Sequence, residues 1–339
     1  MQTPARLRFF LGANSAQGFV SRFDQMTDLD KVDKVVVIKG AAGTGKSTLM
    51  KRAAEELAGK NDYIEEIYCS SDVDSLDGVI FPTQRIAIAD GTPPHAIEPR
   101  YPGVQEDIFS LYDCWDRKKL YEYRDTIVEY TQKCSSLHKL SASYLYAAGS
   151  LLTQLQAIAK EVTSEEKIER LALSIANREF KTDSKSETHE RIRFVSGITN
   201  KGPMLFEDTI HTLAPRLYII SDNLGYCAAQ LMQELRRLAL QRGQNIITCY
   251  CPLFPYSKID HLLFPDLGIG FVTSNKLHPV TLQGDRIIHA RRFMNTEKLK
   301  AHKHKISFLL RASLDMMEQA GSLIGEAKQN HEDVYKRQF

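Results

Sequence analysis

An internal repeat is the feature that most constrains how this chain can fold. A shift of about 183 residues aligns the two halves with small gaps. Any one match is at chance level, but the same order of matches across both halves is not. The matched pairs are Gly12 and Gly197, Gly18 and Gly202, Leu49-Met50 and Leu231-Met232, Leu76-Asp77 and Ile259-Asp260, Phe81-Pro82 and Phe264-Pro265, His95 and His278, and residues 148–151 and 320–323.

Each half shows the same alternation of predicted strands and helices. Apolar runs at residues 35–38 and 217–220 are typical of buried strands in parallel sheets. The further expected elements are a helix from Lys46 to Gly59, strands at 63–70 and 85–89, a helix at 228–242, and strands at 245–249 and 267–273. This alternation predicts an α/β fold with two parallel sheets, each flanked by helices and built with right-handed crossovers.

The repeat also predicts the domain organisation. Residues 1–180 are expected to form the first domain, 181–190 a polar linker, and 191–333 the second domain. Each domain carries a helical appendage, expected from about residue 106 to 176 and after Thr296. Residues 334–339 do not continue the preceding helical pattern, so we expect them to be a tail foreign to the native protein.

A glycine-rich segment follows the first apolar strand. Residues 40–47, Gly-Ala-Ala-Gly-Thr-Gly-Lys-Ser, match the P-loop pattern and precede an amphipathic helix, which is the context that this motif requires. Glycines let backbone N–H groups surround a phosphate, and the start of the helix adds its positive end. Lys46 is expected to reach the β- and γ-phosphates, and Ser47 to bind Mg²⁺. The predicted Mg·ATP site comprises Gly40, Ala41, Ala42, Gly43, Thr44, Gly45, Lys46, Ser47 and Thr48.

Asp90 ends the apolar run at residues 86–89. A carboxylate at the end of a buried strand beside a P-loop is where a Walker-B aspartate meets the Mg²⁺ shell. Asp90 is therefore predicted to share the metal with Ser47, with a simple turn residue as the alternative. Gly91 follows instead of a glutamate, so the acidic pair that activates water in motor-type ATPases is absent, which argues against rapid hydrolysis.

Other polar residues are expected near the same sheet edge. Asp72 lies in the acidic segment 69–77 after the second predicted strand. We predict that it acts with Lys46 and Asp90 in catalysis, as a general base or by orienting an acceptor hydroxyl. A solvated loop acid is the alternative. His95 and Arg100 follow Asp90 in a proline-rich loop; they could face the γ-phosphate, although a structural histidine and a surface arginine are favoured.

The second half has lost the phosphate-binding groups. A gapless alignment places Asp222 at Gly40, Gly225 at Gly43, Cys227 at Gly45, Ala228 at Lys46, Ala229 at Ser47 and Thr273 at Asp90. The lysine and the metal-binding hydroxyl are gone, and a carboxylate at the first loop position would repel phosphate. We therefore expect one nucleotide site per chain.

The duplicated pattern resembles a poorly characterised family of bacterial ATPases with two tandem P-loop domains. The resemblance spans nearly the whole chain and is carried by residues 10–14, 39–50, 69–72, 75–78, 90–92 and 94–95. It implies ATP binding and two P-loop NTPase domains. Members of that family carry a P-loop in each half, so this chain departs from them in its second half.

Composition limits the possible partners. A net charge of +2 over 339 residues provides no strong field for nucleic acid or an anionic membrane. Six cysteines without metal-binding spacing, together with the lack of an apolar leader, predict a cytoplasmic protein. The expected function is slow, Mg²⁺-dependent ATP hydrolysis. The alternatives are a kinase that transfers the γ-phosphate to a small molecule or nucleotide, and a non-enzymatic, nucleotide-gated module for an unidentified protein or small molecule.

Overall fold

The computed structural model describes residues 5–28, 31–41, 43–57, 63–180, 188–276 and 278–338, with side chains described as far as residue 330. The strands of the first half are β1 (Ala5–Phe9), β2 (Gly12–Ser15), β3 (Gly18–Ser21), β4 (Lys34–Lys39), β5 (Tyr63–Tyr68), β6 (Leu76–Phe81), β7 (Ile86–Asp90) and β8 (Glu106–Ser110). Those of the second half are β9 (Glu190–Arg193), β10 (Ser196–Thr199), β11 (Gly202–Leu205), β12 (Arg216–Ser221), β13 (Ile246–Tyr250), β14 (Ile259–Phe264), β15 (Ile269–Ser274) and β16 (Arg286–His289). The helices are α1 (Lys46–Leu57), α2 (Arg117–Glu122), α3 (Arg124–Val162), α4 (Glu165–Glu179), α5 (Glu207–Leu213), α6 (Tyr226–Gln241), α7 (Thr296–Ala301) and α8 (Lys303–Gln338).

The two halves build sheets of identical topology. The first six-stranded sheet has the order β1-β5-β6-β7-β4-β8, and the second has the order β9-β13-β14-β15-β12-β16. Each sheet contains one strand, β6 or β14, that runs antiparallel to both of its neighbours, while the other pairings are parallel. Each half also has a short hairpin, β2–β3 or β10–β11. Order and direction therefore follow the repeat seen in the sequence.

The expectation of parallel sheets is wrong, because both sheets are mixed. The sequence pattern did not include β6, in which a buried aspartate and a glycine interrupt the apolar run. Only residues 82–85 separate β6 from β7. A connection this short permits an antiparallel pair, whereas parallel strands need a crossover of about a dozen residues or more. The same reasoning applies to β14 and β15.

The expected start of the first helical appendage is also wrong. Residues 106–110 form β8, which pairs parallel with β4 at the edge of the first sheet. Its Ile108 and Phe109 side chains are exposed. This segment forms a strand because it hydrogen-bonds to β4, which is distant in sequence. That long-range pairing outweighs the local helical pattern. The long helix α3 begins only at Arg124.

Two long helices join the halves. In the contact between α3 and α8, the hydroxyl of Ser141 donates to the carbonyl of Ala320 at 3.0 Å. Each helix also presents a glycine to the hairpin of its own half. A Cβ on Gly149 of α3 would lie 2.6 Å from Ala16, and a Cβ on Gly321 of α8 would lie 3.1 Å from Gly202. These two glycines belong to the matched segments of the repeat, so the repeat extends into the appendages.

Residues on the two sides of the expected boundary at residue 180 pack against each other. Helix α4 packs against α6 of the second half, and the ring of Phe180 lies 4.8 Å from that of Phe264. Buried Glu65 of β5 also forms ion pairs with Arg191 and Arg193 of β9 in the second half, at 2.7 and 2.8 Å. The two halves are therefore tightly joined.

The expected linker falls largely on residues that are not described, whereas the backbone of the expected tail is described except for its last residue. Residues 181–187 of the linker lie outside the described residues, whereas Glu190 already belongs to β9. The backbone of α8 continues to Gln338, but the side chains from residue 331 onward and the whole of residue 339 lie outside the described part. Within the described ranges, no helix combines the length and the apolar composition that a bilayer crossing requires.

Candidate functional site

The candidate site lies at the carboxyl ends of two neighbouring parallel strands. Val35, Val37 and Ile38 bury β4 in the core, and β4 pairs with β7 so that Ile38 lies beside Asp90. The glycine-rich loop follows β4 and leads into α1, while the loop that contains His95 follows β7. Because both strands end at the same edge of the sheet, groups distant in sequence meet there.

The glycine-rich loop has an unusual backbone. Gly43 and Gly45 have positive φ angles of 74° and 88°, which side-chain-bearing residues rarely adopt. A Cβ on Gly40 would lie 2.8 Å from the hydroxyl oxygen of Thr44, so a larger residue at this position would have to displace that side chain. The hydroxyl of Thr44 donates to the carbonyl of Ala41 at 2.7 Å. Ala42, which was predicted to line the site, lies outside the described residues.

Lys46 is the buried cation of this loop. Its residue is only 7% exposed, and its Nζ donates to the carbonyl oxygens of Gly40 and Ala41 at 2.9 and 2.7 Å. The same Nζ lies 3.4 Å from Oδ2 of Asp90. Both carbonyls belong to the loop itself. An ammonium group held in this way gains charge-assisted hydrogen bonds when an anion enters the loop.

The two hydroxyl residues after Lys46 differ in their surroundings. Oγ of Ser47 accepts a hydrogen bond from the backbone N–H of Leu76 at 2.9 Å, which ties the start of α1 to the start of β6. A hydroxyl oxygen has a second lone pair, so this bond leaves Ser47 one for a metal ion. Thr48 is exposed on α1.

Asp90 is a buried carboxylate with defined partners. Its Oδ1 accepts hydrogen bonds from the backbone N–H of Thr92, at 2.9 Å, and from the Thr92 hydroxyl. Its Oδ2 faces Lys46. The two oxygens of Asp90 therefore have different partners. Oδ1 accepts hydrogen bonds from the turn after β7, and Oδ2 faces the ammonium group of Lys46.

Two further residues converge on Asp90. Asp77 of β6 lies opposite Asp90 in the antiparallel register that pairs Gly78 with Ala89. His95 lies with its Nε2 3.9 Å from Oδ1 of Asp77. One ligand atom from each of these three buried residues lies within 4.8 Å of the other two.

The surroundings of Asp77 favour its protonated form. Burial raises the pKa of Asp77 to about 6, with His95 opposing this change and the charge of Asp90 adding to it. The sequence placed Asp77 in the acidic segment 69–77 but did not single it out as a site residue. The available signal was the repeat, since Asp77 and His95 match Asp260 and His278.

Asp72 has a different setting from the one that its predicted catalytic role assumes. Its Oδ1 lies 2.6 Å from Nζ of Lys328 in α8, and its Oδ2 accepts from the hydroxyl of Ser75 at 2.6 Å. Burial acts to raise the pKa of Asp72, but these hydrogen bonds hold it below its usual value. Arg100 is exposed. Asp72 thus joins the two halves and is engaged by a lysine.

The corresponding loop of the second half carries its own anion. Gly225 has a φ angle of 76°, like Gly43, but α6 begins immediately after it. The buried carboxylate of Asp222 accepts from the backbone N–H groups of Leu224 and Ala228, both at 2.9 Å. An internal carboxylate therefore satisfies N–H groups at the start of this helix.

The second half also carries its own cation. Nζ of Lys258 donates to Oδ1 of Asp260, the counterpart of Asp77, at 2.5 Å. Although burial opposes its charged form, the carboxylates of Asp260 and Asp222 raise the pKa of Lys258 above its usual value. Thr273 stands where the first half has Asp90, as the alignment predicts. The chain as a whole matches no protein-family model, no curated protein and no solved structure.

Proposed function

We propose that the first half binds the phosphates of ATP with a divalent cation, in the manner of a P-loop NTPase, and hydrolyses the nucleotide slowly. The observation that carries this proposal is the buried Lys46, whose hydrogen-bond partners are carbonyls of a glycine loop at the start of a helix. Phosphate oxygens would replace these neutral acceptors with charged ones. The resemblance to tandem P-loop ATPases supports the same assignment.

The residues around Lys46 fit a divalent cation. Nε2 of His95 is buried without a hydrogen-bond partner among the described residues, and it faces the carboxylates of Asp77 and Asp90. Ser47 adds a hydroxyl at the start of α1. A bound Mg²⁺ ion would supply positive charge that offsets the charge of the phosphates. Movement of Lys46 toward phosphate would release Oδ2 of Asp90 for this role.

Slow hydrolysis follows from the acids near the loop. Gly91 follows Asp90, and Asp72 is held by Lys328, so neither position offers a free carboxylate to activate water. The same ion pair disfavours the kinase alternative, in which Asp72 would orient an acceptor hydroxyl.

The second half contacts the segment that leads to the site. Lys328 holds Asp72, and the side chain of Asn200 accepts from the backbone N–H of Val73 at 3.3 Å. The N–H of Leu76, in the next strand, donates to Ser47. Nucleotide binding at the loop would therefore change the contact between the halves. The strength of that contact would then depend on whether ATP is bound.

Calorimetric titration with Mg·ATP tests the proposal. We expect one site per chain, and we expect Lys46→Ala to weaken binding by roughly 10- to 150-fold, since a charge-assisted contact contributes about 1.5–3 kcal/mol. Lys51→Ala is the matched control, because Lys51 lies on the same helix but is exposed. Unchanged binding by Lys46→Ala, or saturation at two nucleotides per chain, would contradict the proposal.

A further inference from the structure

A cluster of metal-ligating side chains lies beside the phosphate loop. Asp77 comes from β6, Asp90 from the end of β7, and His95 from the loop after it, and their ligand atoms lie within 4.8 Å of one another. All three residues are at least nine-tenths buried. We propose that these residues form a binding site for a divalent transition-metal cation, with Nε2 of His95 as the ligand that distinguishes it from a simple Mg²⁺ site.

The imidazole of His95 provides independent support. Its Nε2 is buried and lacks a hydrogen-bond partner among the described residues, which is costly for a polar group out of water. Phe23 stacks on the ring, with centroids 4.6 Å apart and an interplanar angle of 11°. This stacking fixes the plane of the ring while Nε2 faces Asp77 at 3.9 Å. The orientation suits a nitrogen ligand whose lone pair points at a shared ion.

In the second half, the aspartate that matches Asp77 has a cation of the same half as its partner. Asp260 and His278 match Asp77 and His95, but Asp90 is replaced by Thr273. There, the ammonium group of Lys258 bonds Asp260 directly. The position that matches Lys258 by the same shift is Ser75, so no lysine reaches Asp77 from this segment. In the first half, Asp77 thus lies beside a second buried carboxylate, Asp90, which faces Lys46, whereas the second half pairs its single carboxylate directly with Lys258.

The ligand types indicate the class of ion. Mg²⁺ takes oxygen ligands in near-ideal octahedral geometry, whereas imidazole nitrogen with carboxylate oxygen suits first-row transition metals. The inference rests in part on the proposed function, because Asp90 belongs to both sites and faces Lys46 at 3.4 Å. Metal binding is nevertheless measurable without nucleotide, so the two proposals can fail separately.

The test is a titration of the chelator-treated full chain with Mn²⁺ in the absence of nucleotide, followed by electron paramagnetic resonance. We expect one saturable site per chain, and a pulsed experiment should detect nitrogen coupling from a bound imidazole. His95→Gln should abolish that coupling and weaken Mn²⁺ binding by about tenfold or more. His278→Gln is the matched control: it changes the equivalent, half-buried histidine of the second half and should leave both readouts unchanged.

Two further variants make the result decisive. Asp77→Asn, which preserves shape, should weaken Mn²⁺ binding even if His95→Gln does not fold. Lys46→Met should retain or strengthen Mn²⁺ binding while losing ATP, because it removes the cation that faces Asp90. Absence of a saturable Mn²⁺ site in the wild-type chain, or equal binding by Asp77→Asn, would overturn the inference. Failure of ATP binding alone would overturn only the nucleotide proposal.

Discussion

The glycine-rich loop of the first half and the matching loop of the second half differ in the charged groups that they contain. In the first half, the loop combines two glycines of positive φ with Lys46, whose ammonium group is held by loop carbonyls. In the second half, one glycine of positive φ remains, and the carboxylate of Asp222 accepts the N–H groups at the start of α6. The second loop therefore contains a carboxylate of the chain itself where the first loop contains a buried ammonium group.

The carboxylates behind the two loops differ in the same way. Asp260 is paired with Lys258 within its own half, whereas Asp77 faces Asp90 and His95. Buried polar groups need partners wherever they lie, and buried charges need compensation. The comparison shows that the second half balances its buried polar groups from within, because it contains both an anion, Asp222, and a cation, Lys258.

The strongest test of this comparison removes the internal cation. Lys258→Met should lower the free energy of unfolding by about 3–5 kcal/mol, because it leaves the buried carboxylate of Asp260 uncompensated. The other oxygen of Asp260 already lacks a hydrogen-bond partner among the described residues. Urea denaturation measures the effect. The double variant Lys258→Met/Asp260→Asn should recover part of the loss, and a loss below about 0.5 kcal/mol in the single variant would break the comparison.

Removal of the internal anion should have a smaller effect. Asp222→Ala leaves the buried N–H groups of Leu224 and Ala228 without their acceptor, at a cost of about 1–3 kcal/mol. Thermal or urea unfolding provides the measurement. Asp222→Asn is the control, since an amide oxygen can still accept one of the two bonds and should lose less. Equal stability of Asp222→Ala and the wild type would show that the carboxylate does not serve these groups.

The second left-handed glycine of the first loop provides a third test. Gly45→Ala forces a side chain into a φ angle of 88° and should cost about 1–2 kcal/mol of stability. At the matched position, Cys227 lies inside α6, so Cys227→Ala avoids that backbone penalty and loses only the buried thiol. Unfolding curves of the two variants compare the loops directly. No loss in Gly45→Ala would mean that the loop can adopt a right-handed backbone.

The smallest expected effect concerns the contact between the halves. Asp72→Asn weakens a partly exposed ion pair with Lys328 and should cost about 0.2–1 kcal/mol. If Asp72 only joins the halves, ATP turnover by this variant should equal that of the wild type within about twofold. A steady-state phosphate-release assay measures it. A loss of about a hundredfold or more in kcat would instead restore Asp72 as a general base.

The strand predicted at residues 35–38 lies within β4, and the helix predicted from Lys46 begins at that residue in the structure. Strand β4 follows from a run of buried β-branched residues, and the glycines and Lys46 follow from a motif with strict spacing. Asp90 was predicted to be a site residue because it ends a buried strand. These features depend on neighbours in sequence, and this is why they can be read without coordinates.

The sequence alone thus determined the repeat, the glycine-rich segment, the lysine that it contains and the absence of a matching lysine in the second half. Only the tertiary structure decided that β6 runs antiparallel, and this register brings Asp77 opposite Asp90. The tertiary structure also pairs Lys258 with Asp260 and Lys328 with Asp72. The second of these ion pairs joins residues that are more than 250 positions apart in the sequence. Local patterns specify which groups a segment offers, but strand pairing and side-chain packing between distant segments specify which groups meet.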